Sequence, residues 1–299
     1  MNMKAGPQGP FAFGPGETVT CDFVQRPHGS GSTLKFECAL PSGRELKVRY
    51  GPDNGEVYAQ VAATRLLWAL GFGANRMYPV RVVCRGCPPN PFKDRTPPDR
   101  STSVVFDPAT IDVKADGKTI ETKPDEGWSW KELDLVDETA GAPRPQRDAL
   151  RLLAVLIQHS SNKAINQRIL CLDEPECSHS LMMITDLGKT FGRANAQNND
   201  ATAAVNFKEW SRMAVWKGSP AECVGNLPWS WTGSLHDPRI GEPGRRFLAN
   251  LLEQLTDSQL HDLFDVARVT QRDPSATIAD WVGAFKRKRA DIVNAHCGP

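Results

Sequence analysis

The residues best equipped for chemistry fall in one stretch, 148–192. A polar loop carries His159, Ser161, Lys163 and Asn166, and an apolar run ends in Asp186-Leu187-Gly188. A carboxylate, an amide, an ammonium group and a hydroxyl suit phosphoryl transfer, which asks little covalent work of a protein. It needs cations against phosphate, ligands for magnesium and a carboxylate at the attacking hydroxyl. The flanking pattern reads as an amphipathic helix before the loop, a short strand after it, a hairpin insert and a second apolar strand. Asn166 and Asp186 then lie at loop or strand ends, where side chains from separate segments can converge.

From His159 to Asn166 the loop has the spacing of the kinase catalytic loop H-R-D-L-x-x-x-N, and Asp186-Leu187-Gly188 stands where D-F-G would stand. By these residues the chain resembles the protein-kinase-like superfamily, and more loosely its atypical bacterial members, the HipA-type and spore-coat kinases. The resemblance implies ATP and magnesium as cofactors, Asn166 and Asp186 as metal ligands, and Lys163 as neutraliser of the transferring phosphoryl group. His159 is implied to be structural, bonding backbone, and Gly188 to permit a sharp backbone change after the ligand. The catalytic position departs from the pattern, because Ser161 stands where the Asp is expected. A neutral hydroxyl is no general base, a contribution worth roughly a hundred to ten thousandfold. Three readings follow: a nucleotide-binding pseudokinase, an impaired phosphotransferase served by another carboxylate such as Asp200, or a deliberate Asp-to-Ser replacement.

Upstream, TVTCDFVQ, STLKFECAL and RELKVRYG read as an antiparallel meander separated by Gly and Pro clusters. In the third strand Glu45, Lys47 and Arg49 share one face and Leu46, Val48 and Tyr50 the other. A turn, Gly51 to Gly55, leads to a helix opening at Glu56 and ending near Gly71. In the kinase small lobe a strand cation holds phosphate and is oriented by a helix carboxylate. Glu56 would be that carboxylate, with Lys47 or Arg49 as the cation. Arg49-Tyr50-Gly51 is similar to the strand ending of HipA-type kinases, and the bland alternative is a surface row of charges. No G-x-G-x-x-G loop is evident, His28-Gly29-Ser30-Gly31-Ser32 being nearest.

Further on, RMYPVRVVCRG and STSVVFDPATIDVK read as strands around a Pro-rich loop, and the second leads to a hinge. Trp128 and Trp130 should pack an irregular segment against the larger lobe. Residues 193–206 are polar and take the place of an activation or substrate loop. FKEWSRMAVWKG looks helical, a long loop carries Trp229 and Trp231, and two amphipathic helices follow, the second starting at Asp257 beside Thr256. SATIADWVGAFKRKRADIVNAH closes the chain as a helix. Strands in front and helices behind imply an α+β, bilobal protein-kinase-like fold. Its small antiparallel N-lobe would carry one helix and its C-lobe would be mostly helical. The expected divisions are a loose arm (1–16), an N-lobe (17–114), a connecting segment (115–147) and a C-lobe (148–299).

With 36 basic and 35 acidic residues the formal charge is +1, which gives no reason to expect nucleic acid or an anionic membrane as partner. No apolar run approaches the roughly 18 residues that cross a bilayer. The chain therefore reads as soluble, and its Gly- and Pro-rich start lacks the apolar core of a signal peptide. The basic run FKRKRA reads as a solvated final helical turn. Eight cysteines leave an exported mature form open. Cys21 with Cys38, and Cys171 with Cys177, are candidate disulfides, while Cys84-Arg85-Gly86-Cys87 is a candidate zinc half-site. The expected partners are a nucleotide and a hydroxyl-bearing acceptor, protein or small molecule. Two rivals are a scaffold presenting the Trp-rich loops and residues 193–206, and an exported disulfide-stabilised binding protein without nucleotide.

Overall fold

A computed structural model describes residues 1–299 except 28–30, 32, 95, 97, 98, 100, 122, 124, 125, 140, 195–202, 230–232 and 299. Strands β1 (Thr18–Val24), β2 (Lys35–Ala39) and β3 (Glu45–Tyr50) lead into helix α1 (Glu56–Ala69). The short β4 (Gly73–Ala74) and the long β5 (Arg76–Arg85) and β6 (Ser103–Val113) follow. Five strands close into a barrel in the order β1-β2-β3-β6-β5. All neighbours are antiparallel except β1 and β5, which run parallel from Thr18 opposite Arg81 to Asp22 opposite Arg85. The antiparallel N-lobe expected from sequence is corrected at this seam. The reason is chain direction: α1 carries the backbone back after β3, so β5 starts again in the sense of β1.

Period-two alternation fills the barrel. Leu46, Val48 and Tyr50 of β3 point inward with Phe36, Phe106 and Ile111, and the rings of Phe36 and Tyr50 lie 4.9 and 4.7 Å from that of Phe106. Lys47 and Arg49 are thereby directed to the outer face. Helix α1 is buried from Glu56 to Leu67. Its polar residues survive there because they are engaged: Arg65 donates to the Met3 and Met77 carbonyls, and Thr64 to that of Gln60.

Strand β7 (Lys118–Thr119) and helix α2 (Arg144–Leu156) precede the hairpin β8 (Gln167–Cys171) and β9 (Ser180–Ile184). A second sheet runs β4-β9-β8-β7. Helices α3 (Phe207–Arg212), α4 (Glu242–Glu253), α5 (Asp257–Val266), α6 (Val269–Arg272) and α7 (Ile278–Asn294) complete the chain. A reciprocal capping box between Thr256 and Gln259 opens α5. Trp128 and Trp130 are buried and pack edge to face, as the sequence implied. Helix α3 is shorter than expected. The chain turns extended at Met213, and Trp216 then bridges to Gly225.

Three further expectations change. The arm 1–16 is not loose: Met3 is buried, and the Pro7 carbonyl accepts from the Tyr78 hydroxyl. The cysteines pair as 21–38, 84–87, 171–177 and 223–297, with none left free. That confirms two candidate bridges and removes the zinc half-site, since Cys84 and Cys87 bond each other. Among the described residues no group of three His, Cys, Asp or Glu side chains could hold a metal. Finally, FKRKRA is not solvated throughout. Lys288 is buried over the Trp210 ring and donates to the Met213 carbonyl, and Arg289 donates to those of Leu252 and Leu255. Burial brings the Lys288 pKa down to about 8. No helix of the described residues is long and apolar enough to cross a membrane.

Candidate active site

A cavity of about 570 Å³ opens between the outer face of β2, β3 and β6 and the β8–β9 hairpin. Lys47, Arg49, Glu56, Ser161, Lys163, Asn166 and Asp186 all line it. The side chains named from sequence thus meet in one place.

Arg49 is the hub. Its guanidinium, 3% exposed, donates to Glu56 Oε2 at 2.8 Å and lies 3.5 Å from Asp186 Oδ2. Burial opposes its charge, but Asp186 and Glu56 outweigh burial and hold its pKa above the ordinary value. Burial pushes Glu56 up against the pull of Arg49, whereas Asp186, also disfavoured by burial, is held below the usual range by Arg49 and the Gly188 N–H. Thr33 also donates to Glu56 Oε2, at 3.0 Å. Lys47 lines the same cavity, but among the described residues it forms no ion pair with Glu56. Of the two candidate cations, Arg49 is the one that the helix carboxylate orients.

Asp186 is fixed from two sides: its Oδ1 accepts from Gln60 Nε2 at 3.1 Å and from the Gly188 N–H at 3.0 Å. Gly188 is not left-handed here. A Cβ on it would stand 2.6 Å from Glu56 Cγ and Cδ, so glycine is needed for close approach rather than for an unusual φ. Asn166 follows Lys163 in a single 3-10 turn. Its Nδ2 donates to the Ser161 carbonyl at 2.7 Å and to the Ser161 hydroxyl at 3.3 Å, while Oδ1 has no donor among the described residues. The Thr185 N–H donates to the Asn166 carbonyl at 2.8 Å, which sets Asn166 beside the strand end that carries Asp186. The Ser160 hydroxyl donates to the Lys189 carbonyl at 3.1 Å and ties the loop to the segment after the triplet.

His159 departs from expectation in detail. Its backbone is engaged at both ends, yet neither ring nitrogen has a partner, and the ring is fully buried near Trp130. Burial lowers its pKa to about 4, so the imidazole is neutral and structural. Thr33, Gln60, Asn75 and Asp112 were not singled out from sequence. Gln60 was findable, because it lies one turn after Glu56 and faces the same way. Asp112 was findable by its alternation with Ile111 and Val113 on β6. Asp200, Trp231 and most of the His28–Ser32 run lie outside the described residues.

The barrel with its buried helix, the hairpin and the helical back half define a protein-kinase-like fold. The crystal structure of the Helicobacter pylori proinflammatory kinase CtkA is similar to it with a TM-score of 0.50 at 10% identity, over 94% of this chain and 96% of that one. The Golgi casein kinase with Mn/ADP bound is similar with a TM-score of 0.43 at 14% identity, over 93% and 72%. The Rio2 kinase from Chaetomium thermophilum follows at 0.32 and 12%, over 82% and 72%. At 10% identity the likeness to CtkA is one of fold alone. Neither a family model nor a curated protein matches the chain in sequence.

Proposed function

We propose that the chain binds ATP with magnesium in this cavity, within a bilobal kinase-like arrangement. Its activity would be transfer of the γ-phosphoryl group to a hydroxyl acceptor, impaired by the serine at 161. The observation that carries the reading is the linked set Arg49–Glu56–Asp186 with Asn166 alongside, all on one cavity. The donors fit magnesium: a carboxylate and an amide oxygen are hard ligands, few in number, as expected for an ion that keeps waters and phosphate oxygens. Asn166 commits its nitrogen to Ser161, and that leaves its oxygen for a cation. Magnesium, when bound, would neutralise phosphate charge and template the reacting oxygens. Arg49 holds phosphate, with Glu56 setting its angle, and Lys163 faces the transferring group.

Ser161 offers a hydroxyl held by Asn166 rather than a carboxylate, so the acceptor proton has no strong base there. This same observation favours the pseudokinase as second reading. Thermal shift with Mg-ATP, followed by autophosphorylation and phosphate-release assays, tests both. A shift is expected. Turnover in Ser161→Asp should rise roughly a hundredfold or more over the natural chain if the rest of the site is competent. A shift without turnover in either form supports the pseudokinase, and no shift removes the nucleotide reading.

A further inference from the structure

Around Ser161, where an acceptor would meet the transferring group, the described side chains donate and none takes up a proton. Ser161 Oγ accepts from Asn166 Nδ2 at 3.3 Å, which leaves its own O–H to donate. Lys163 lines the cavity two residues further on and enters no ion pair among the described residues. Its ammonium group has three donors and no acceptor. Lys189 also lines the cavity, and the Ser160 hydroxyl, donating to its carbonyl at 3.1 Å, holds its backbone beside the loop.

The carboxyl groups that line the cavity among the described residues are engaged elsewhere. Glu56 is 6% exposed and bonded to Arg49 and Thr33. Asp112 accepts from Asn75 Nδ2 at 2.9 Å, and Lys47 faces it across the β3–β6 ladder. Asp186, the magnesium ligand of the reading above, accepts from Gln60 and from the Gly188 N–H and lies against Arg49. Seven Lys and Arg side chains line the cavity against these three acids, so its field favours anions.

We propose a further activity: an acceptor that arrives already ionised, through a carboxylate or phosphate oxygen, binds at Ser161 and Lys163 and takes the γ-phosphoryl group of ATP. This rests on the nucleotide reading above, and it is a transfer that the serine at 161 does not impair. The acceptor oxygen forms its bond to the γ-phosphorus while the bond from that phosphorus to the β,γ-bridging oxygen breaks. The electron pair of the broken bond leaves with ADP, and no proton changes hands. The product is an acyl phosphate from a carboxylate or a phosphoanhydride from a phosphate. A hydroxyl acceptor must also shed a proton, and that is the step a catalytic Asp serves. Carboxylates ionise at about pH 4, and phosphate monoesters carry most of their second charge at pH 7. The Ser161 O–H and the Lys163 ammonium group can both donate to such an oxygen, whereas an aspartate at 161 would repel it.

The test offers the full, oxidised chain Mg-ATP with phenyl phosphate, with acetate plus hydroxylamine as trap, or with glycerol, and measures ADP. One oxyanion or both should raise ADP formation at least about tenfold over glycerol. Phosphorus NMR detects the phosphoanhydride and the hydroxamate reports the acyl phosphate, so the two arms tell the sources apart. Ser161→Asp should slow the oxyanion-dependent reaction about tenfold or more, the reverse of its effect with glycerol. Binding is the second readout: phenyl phosphate titrated into the Mg-ADP complex should bind about tenfold more weakly to Ser161→Asp and to Lys163→Gln. The proposal is overturned, with the nucleotide site left standing, by glycerol matching both oxyanions or by no turnover with either in a chain that binds Mg-ATP. A faster oxyanion reaction in Ser161→Asp, or unchanged phenyl phosphate affinity in both variants, overturns it as well. Absence of Mg-ATP binding overturns both readings. If Ser161→Asp does not fold, the acceptor order on the natural chain and the affinity of Lys163→Gln decide.

Discussion

Replacing Arg49 by methionine strands one buried carboxylate, Glu56, beside the partly exposed Asp186. Glu56 and Asp186 both lean on that guanidinium, at 2.8 and 3.5 Å, and Glu56 is 6% exposed. Removing one partner of a buried pair costs about 3–5 kcal/mol because the other charge is left uncompensated. Arg49→Met leaves two acids facing each other and belongs near the top of that range, about 4–5 kcal/mol. Glu56→Leu leaves Arg49 still paired with Asp186 and belongs near the bottom, about 3 kcal/mol. In the double variant the Arg49–Glu56 interaction is lost once rather than twice, so its cost should fall short of the sum by about 2 kcal/mol. Urea unfolding under non-reducing conditions, followed by tryptophan fluorescence, measures all three differences. A cost below about 1 kcal/mol for Arg49→Met, or strict additivity in the cycle, would refute the view that Arg49 and Glu56 form a buried, mutually dependent pair.

Two other expectations concern stability. His159 titrates near 6.5 when unfolded and at about 4 when folded. Between those values the unfolded chain holds a proton that the folded chain does not, so the stabilisation present above pH 6.5 is lost as the pH falls towards 4. The natural chain should lose about 3 kcal/mol more over that window than His159→Leu, as read from unfolding at stepped pH. The disulfide Cys223–Cys297 spans 74 residues and Cys171–Cys177 spans 6. Loop entropy then gives about 4 against about 2 kcal/mol, and paired Cys-to-Ser variants of each bridge should differ by that margin in denaturant midpoint energies.

Local pattern made much of this fold legible. The alternation in β3 placed Leu46, Val48 and Tyr50 opposite Lys47 and Arg49, and the cap at Thr256 announced α5. What stayed hidden depended on distant partners. Nothing local tells β1 that it will run parallel to β5, or the arm that Arg65 and Tyr78 will bond its carbonyls. Helix α1 looks ordinary in sequence, yet it is enclosed on nearly every side, because its polar residues find partners on segments far along the chain. Lys288 looked like one of a solvated cluster, and only the Trp210 ring and the Met213 carbonyl explain its burial. At the candidate site the residue types and spacing named the participants. Choosing Arg49 over Lys47 needed the position of Glu56, and Asn75 emerged only once its amide reached Asp112 and the Thr185 carbonyl.

The parallel seam also bears on how the chain is made. As it leaves the ribosome, β1 can pair at first only with β2, and an isolated pair of strands is marginal in water. Its second neighbour emerges only after α1, and β6, which joins β3 to β5, comes later still. Fragments ending before residue 103 should therefore expose unpaired edges and invite aggregation. The Cys21–Cys38 bridge is the exception to this late closure, since both of its thiols lie within the opening strands and can join while the barrel is still incomplete.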